Sequence, residues 1–292
     1  METVSYAGWS CARFESELGE ALVTLDVGPR VIRLAPHGGC NLFHEVPEEA
    51  GVVGGEGFRA YGGHRLWTAP EDLARTYAPD NEAVQVDEDG WMSAAPDASG
   101  LRRSMRVSGV EGGWIVEHRV ANESGSSIEV APWALTVMAP GGTCVFPQEP
   151  FVPHGESLLP VRPLVLWAYT AMDDPRWTWG RHVVRLRQDP ARGPQKVGAR
   201  VSEGVAAYSL GEWTFVKRFP CIEGAAYPDG GCNFEVFTRE DMLEVESLGP
   251  MATLAPGEST THTERWALAR TSAPTEDEAC AAWLAELARQ GV

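Results

Sequence analysis

The segment Tyr61-Gly62-Gly63-His64-Arg65-Leu66-Trp67-Thr68-Ala69-Pro70-Glu71 gathers an imidazole, a guanidinium, an indole and a carboxylate behind a double glycine. Each brings a different chemistry. An imidazole exchanges protons near neutrality, a guanidinium binds planar oxygen pairs through two parallel N–H groups, and an indole has an apolar face and a polar edge. The glycines admit backbone angles closed to other residues and let a neighbour approach the main chain. In an extended segment His64, Leu66 and Thr68 share one side and Arg65, Trp67 and Ala69 the other, and Pro70 ends the pairing. The same residues also suit a structural part, with Trp67 in the core and Arg65 tied to Glu71. Loops held on a rigid β scaffold carry function disproportionately, which favours the site reading.

A second group lies in Met242-Leu243-Glu244-Val245-Glu246-Ser247-Leu248-Gly249-Pro250. Strand rise puts Glu244 and Glu246 on one face, about 7 Å apart. Like charges at that distance call for a cation or a raised pKa, and Arg65, Arg239 or Lys217 are candidates for the cation. Lys217 follows Trp213 and Phe215 on one strand face, where its ammonium needs a partner or an exit to solvent. Trp177 and Trp179 stand on a turn that could line a pocket or pin a loop to the core. The seven histidines show no metal-ligand spacing, and phosphate-loop, dinucleotide and nucleophile-elbow motifs are missing. Neither a metal nor another cofactor is expected.

Composition narrows the class. Hydrophobic residues make up 43% and charged residues 22%, which supports a sizeable core. A net charge of -17 disfavours nucleic acid and anionic membranes as partners. Eleven tryptophans exceed what a core of this size usually uses and suit stacking on a sugar. Met1 to Ser10 lacks a signal-peptide pattern, and no apolar run reaches membrane-spanning length, so a cytoplasmic location is expected. The six cysteines show no CxxC pair and read as reduced thiols.

The elements that must hold these groups read as strands. Short alternating or apolar runs at 4–10, 11–16, 21–27 and 31–35 are broken by Gly19, Gly28-Pro29 and Pro36. Residues 45–63 read as a long loop. Trp114, Val116, His118 and Val120 alternate with polar neighbours, and Asn122-Glu123-Ser124-Gly125 reads as the turn of a long hairpin into 128–137, where Ala131, Trp133, Leu135 and Val137 share a face. The region 140–163 is proline-rich, and further strands are expected through 269. Thr275-Glu276-Asp277-Glu278 fits a capping box, and Cys280, Trp283, Leu284 and Leu287 then recur at helical spacing, giving a helix over about 275–289. Without a linker or a repeat, the expectation is one domain over 1–292.

Three stretches carry a resemblance: Gly62 to Glu71, Ala131 to Gly142, and Leu243 to Pro250 with Leu254-Ala255-Pro256-Gly257-Glu258. They resemble an uncharacterised bacterial branch of the galactose mutarotase-like (aldose 1-epimerase-like) superfamily. The resemblance implies an all-β antiparallel β-supersandwich with a short C-terminal helix and a concave sugar-binding face. It also implies isomerase chemistry with a histidine acid and a glutamate base. The glutamate falls on Glu246 or Glu244, with Glu246 preferred as nearer the Gly-Pro turn. The place of the acid histidine is taken by Trp133, whose indole cannot donate and recover a proton as imidazole does. Either His64 or His118 takes the acid role, or the chain binds a sugar without turning it over. Arg65, Trp67, Glu71, His118, Trp133, Trp177 and Lys217 are the expected binding residues around a small-molecule carbohydrate.

Overall fold

The computed structural model describes residues 1–290. Four strands open the chain, β1 (Glu2–Tyr6), β2 (Trp9–Ser16), β3 (Gly19–Thr24) and β4 (Val31–Pro36). A long irregular stretch leads to β5 (His64–Ala69), then β6 (Gln85–Val86), β7 (Met92–Ser93), β8 (Leu101–Val110) and β9 (Gly113–Asn122). Next come β10 (Ile128–Met138), β11 (Thr143–Pro147), β12 (Leu164–Leu166), β13 (Trp177–Trp179), β14 (Val183–Arg187) and β15 (Gln195–Ala199). The last strands are β16 (Val205–Leu210), β17 (Trp213–Arg218), β18 (Phe234–Thr238), β19 (Leu243–Leu248), β20 (Ala252–Leu254) and β21 (Ser259–Ala269), before helix α1 (Asp277–Gln290).

These strands form two sheets. The larger has eleven, in the order β1-β2-β3-β4-β5-β10-β19-β18-β15-β12 with β20 paired to β10; the smaller has ten, in the order β13-β14-β11-β16-β17-β21-β9-β8-β7-β6. The central pairs are antiparallel. Val31, Met138 and Val245 from the larger sheet meet Trp114, Phe215 and Trp266 from the smaller in one apolar cluster between the layers. This is the antiparallel β-sandwich that the resemblance implied.

The expected hairpin between the strands at 114 and 128 does not form. β9 pairs with β8 and β21 in the smaller sheet, whereas β10 pairs with β5, β19 and β20 in the larger. The turn residue Asn122 ties the crossover instead, its Nδ2 donating to the Ser126 and Leu254 carbonyls at 2.8 and 2.9 Å. Central strand β10 is buried along nearly its whole length, because both of its faces are covered.

The helix packs on the outer face of the smaller sheet, with Cys280, Leu284 and Leu287 against Val145, Val205 and Ala207. Each buried leucine is worth roughly 1.5–3 kcal/mol. The helix starts later than the capping box predicts: the Cys280 N–H donates to the Glu276 carbonyl at 2.8 Å. Asp277 uses its carboxylate to accept from the Arg181 and His182 N–H groups, pinning the β13–β14 turn. Among the described residues no helix is long and apolar enough to cross a membrane.

Candidate functional site

The double glycine allows close approach. Gly62 and Gly63 have φ of 94° and 69°, and a Cβ on them would lie 2.2 Å from the His44 carbonyl oxygen and 2.3 Å from that of Val31. Only glycine fits both the left-handed backbone and that spacing. The chain at His44 is thereby drawn against β10, its N–H donating to the Val137 carbonyl at 2.8 Å while Gly63 donates to the His44 carbonyl at 2.9 Å.

Alternation then divides the site residues. Arg65 and Trp67 of β5, Trp133 and Val137 of β10, Glu244 of β19 and Lys196 of β15 point away from the smaller sheet and line a cavity of about 230 Å³. Registry explains their meeting: Arg65 pairs with Leu135, Leu135 with Glu246, and Val137 with Glu244. Residues some 180 apart in sequence thus lie two strands apart on one face. The indoles of Trp67 and Trp133 form an aromatic corner, with ring centroids 5.3 Å apart. Arg65 lies over Trp67 and Phe58, its Cζ 4.1 and 4.7 Å from their ring centroids. Glu71 is at the rim, bonded to the Tyr77 hydroxyl.

Behind this wall lies a buried charged group. Trp133 Nε1 donates to Glu246 Oε2 at 2.7 Å, and Lys196 Nζ lies 3.3 Å from the same oxygen and 2.7 Å from Glu235 Oε2. The ammonium also sits 4.6 and 4.7 Å from the ring centroids of Trp133 and Trp167. Burial alone would lower the Lys196 pKa, but Glu246 and Glu235 outweigh it and hold the lysine charged. Burial, with Glu246 adding to it, pushes the Glu244 carboxyl up to about 8. Burial raises Glu235 to about 8 as well, against the pull of Lys196. Glu246 itself is fully buried and does not line the cavity. This corrects the expectation that Glu246 rather than Glu244 meets a ligand: the indole of Trp133 and the Lys196 ammonium enclose it.

The histidines expected to supply the acid lie on the opposite side of the sheet. His64 and His118 are wholly buried between the layers, and Lys217 with them, so none of the three reaches the cavity. His118 Nδ1 lies 3.0 Å from the His262 carbonyl, His118 Nε2 lies 2.7 Å from His64 Nε2, and His64 Nδ1 lies 2.8 Å from Thr136 Oγ1. Bonding partners assign the protons: His118 must donate from Nδ1, so His64 donates from Nε2 and accepts from Thr136. Lys217 Nζ pairs with Glu264 Oε1 at 2.8 Å and donates to the Val245 carbonyl at 2.9 Å. His64 Nε2, His118 Nε2 and a Glu264 oxygen lie within 4.8 Å of one another, a spacing within reach of a metal ion. The two nitrogens are at hydrogen-bond separation, however, closer than two ligands on a tetrahedral ion with bonds of about 2.0–2.1 Å. The place of a cation beside Glu264 is filled by Lys217.

Trp177 also departs from expectation. It is buried in the core, stacked on Trp179 at 4.9 Å, and its Nε1 donates to Gln195 Oε1 at 3.1 Å. Many of the eleven tryptophans serve packing in the same way: Trp9, Trp114 and Trp266 are fully buried. The sequence reasoning overlooked Lys196, His44, Tyr169 and Phe237 of the cavity wall. Lys196 lies in Gln195-Lys196-Val197-Gly198-Ala199, which has no clear apolar–polar alternation to mark it as a strand residue. His44 stands outside regular structure and gave no periodic signal either. Burial lowers its pKa, leaving a neutral imidazole at the cavity at neutral pH.

No family model and no curated protein matches the chain. Solved structures do. A candidate aldose 1-epimerase from Escherichia coli K12 superposes with a TM-score of 0.58 at 12% identity, over 90% of this chain and 100% of that one. A candidate mutarotase from Salmonella typhimurium gives 0.55 at 8% identity, over 92% and 93%. A galactose mutarotase related enzyme from Lactobacillus acidophilus gives 0.54 at 9% identity, over 89% and 98%. The chain has the galactose mutarotase-like fold.

Proposed function

We propose that the cavity on the outer face of the larger sheet binds a sugar or sugar derivative and that its polar wall performs acid–base chemistry on it. The observation that carries this reading is the convergence of Trp67, Trp133, Arg65 and Glu244 from three adjacent strands on one cavity. Aromatic walls with a few fixed polar groups are what a ring with one apolar face and several hydroxyls requires. The likeness to structures of epimerase-type proteins agrees with a sugar ligand.

In anomer interconversion one group gives a proton to the ring oxygen while another removes the anomeric hydroxyl proton, so that the C1–O5 bond opens and recloses. Glu244, kept protonated by burial, suits the donor, and neutral His44 suits the acceptor. The two residues flank Val137: the His44 backbone N–H donates to its carbonyl, and Glu244 is its cross-strand partner. Groups of this kind typically contribute about 10²–10⁴-fold each. Polarimetry of fresh α-aldoses, with titration calorimetry for binding, tests the reading. Saturable binding with mutarotation above the buffer rate, abolished in Glu244→Gln, is expected; no heat with any sugar at millimolar concentration would refute it. A non-catalytic sugar-binding role is the second reading, favoured by the commitment of the Trp133 N–H to Glu246. Binding without turnover would select it.

A further inference from the structure

Arg65 is a buried charge without a counter-charge. It is only 6% exposed, and its Nε and Nη1 have no hydrogen-bond partner. Such a group costs stability unless something meets it. The other charges in the cavity wall are already engaged. Lys196 is bound to Glu235 and Glu246, Arg239 to Asp241 at 2.7 Å, and Glu71 to the Tyr77 hydroxyl. Among the described residues lining the cavity, Arg65 is the cation left without a carboxylate. Of the acids that act on it, Asp80 is already paired with Arg30 at 2.7 Å, and burial keeps the Glu244 carboxyl largely protonated at neutral pH. The Phe58 and Trp67 rings crowd the guanidinium from two adjacent sides, and its unpartnered Nε and Nη1 are what it has left to offer a ligand. An edge with parallel N–H groups matches the two oxygens of a carboxylate.

We propose that the ligand of this cavity is a sugar acid whose carboxylate is held edge-on by Arg65, an inference that rests on the sugar reading above. One free positive charge fits a monoanion. A phosphate ester, carrying close to two negative charges, would need a second cation, and none is free. The net charge of -17 repels any anion at long range, so the preference must arise from this short, desolvated contact, where screening is weak.

The test is titration calorimetry with matched pairs, glucose against glucuronate and galactose against galacturonate, together with glucose 6-phosphate. At least one acid should bind roughly 10- to 100-fold more tightly than its neutral partner, as expected for a charged hydrogen-bonded pair. Arg65→Gln should bring the two members of that pair to equal affinity. Arg65→Lys, which keeps the charge but loses the fork, should lose most of the preference. If neutral members bind as well as the acids, or the phosphate ester binds most tightly, the sugar-acid inference fails and the sugar reading stands. If no member of any pair binds, the sugar reading fails and this inference with it. The wild-type comparison decides the matter even where a variant does not fold.

Discussion

Protonation of Glu244 can be tested without knowing the ligand. Its folded-state pKa lies at about 8 against an ordinary 4.5, raised first by burial and then by the charge of Glu246. A carboxyl with a raised folded pKa stabilises the protein fully below the unfolded value, and that stability is lost as pH rises through the folded value. Between pH 8 and pH 6 the folded protein takes up a proton at Glu244 that the unfolded chain does not. The contribution should therefore grow by about 2 kcal/mol over that interval. Glu244→Gln keeps the shape but cannot titrate. Urea unfolding of wild type and variant, followed by tryptophan fluorescence at pH 8, 7 and 6, should show their stability difference changing by about 2 kcal/mol in favour of the wild type as pH falls. Comparing the two proteins at each pH cancels the buried histidines and Glu235, which are present in both. A difference constant to within about 0.5 kcal/mol would mean that Glu244 is ionised at neutral pH. Its role as a proton donor would then have to be abandoned.

Three further outcomes follow from the buried polar groups. Lys217→Met strands the Glu264 carboxylate between the sheets and should cost about 3–5 kcal/mol; at about 2.1 cal/mol/K per residue over 292 residues, calorimetry should show Tm lower by about 5–8 °C, and an unchanged Tm would refute the ion pair. Burial holds His118 and His262 down at about 3 and His64 well below its ordinary 6.5. Stability is thus whole above pH 6.5 and falls as pH drops toward 3, by about 1.4 kcal/mol per pH unit for each histidine. His262→Gln should flatten that slope by one proton in acid titrations, and an unaltered slope would show that His262 titrates normally. Trp133→Phe keeps a ring in the cavity wall but deletes the N–H bonded to Glu246, a charged hydrogen bond worth about 1.5–3 kcal/mol; urea unfolding showing no loss would mean Lys196 alone secures that carboxylate.

The sequence by itself determined which residues travel together. Alternation placed Arg65 with Trp67 and set them against His64, joined Trp133 to Val137, and put Glu244 in phase with Glu246, because successive side chains on a strand must point to opposite faces. The helix at the C-terminus was legible from its spacing, and the fold class from the glycine and proline punctuation of short strands. Parity does not say which face is inside, since either phase of a strand can be buried. Only the packing of the smaller sheet turned His64, His118 and Lys217 inward and left Arg65 and Trp67 at the cavity. Nor does parity say how far a residue in phase reaches: Glu246 is sealed beneath Trp133 and Lys196 while Glu244, two residues away, meets the cavity. The expected hairpin failed for a related reason, as a turn sequence specifies a change of direction but not whether the next strand stays in the same sheet. His44 reached the site through the close backbone approach that Gly62 and Gly63 permit, a contact between segments some 20 residues apart that is set by three-dimensional packing and leaves no periodic trace in the chain.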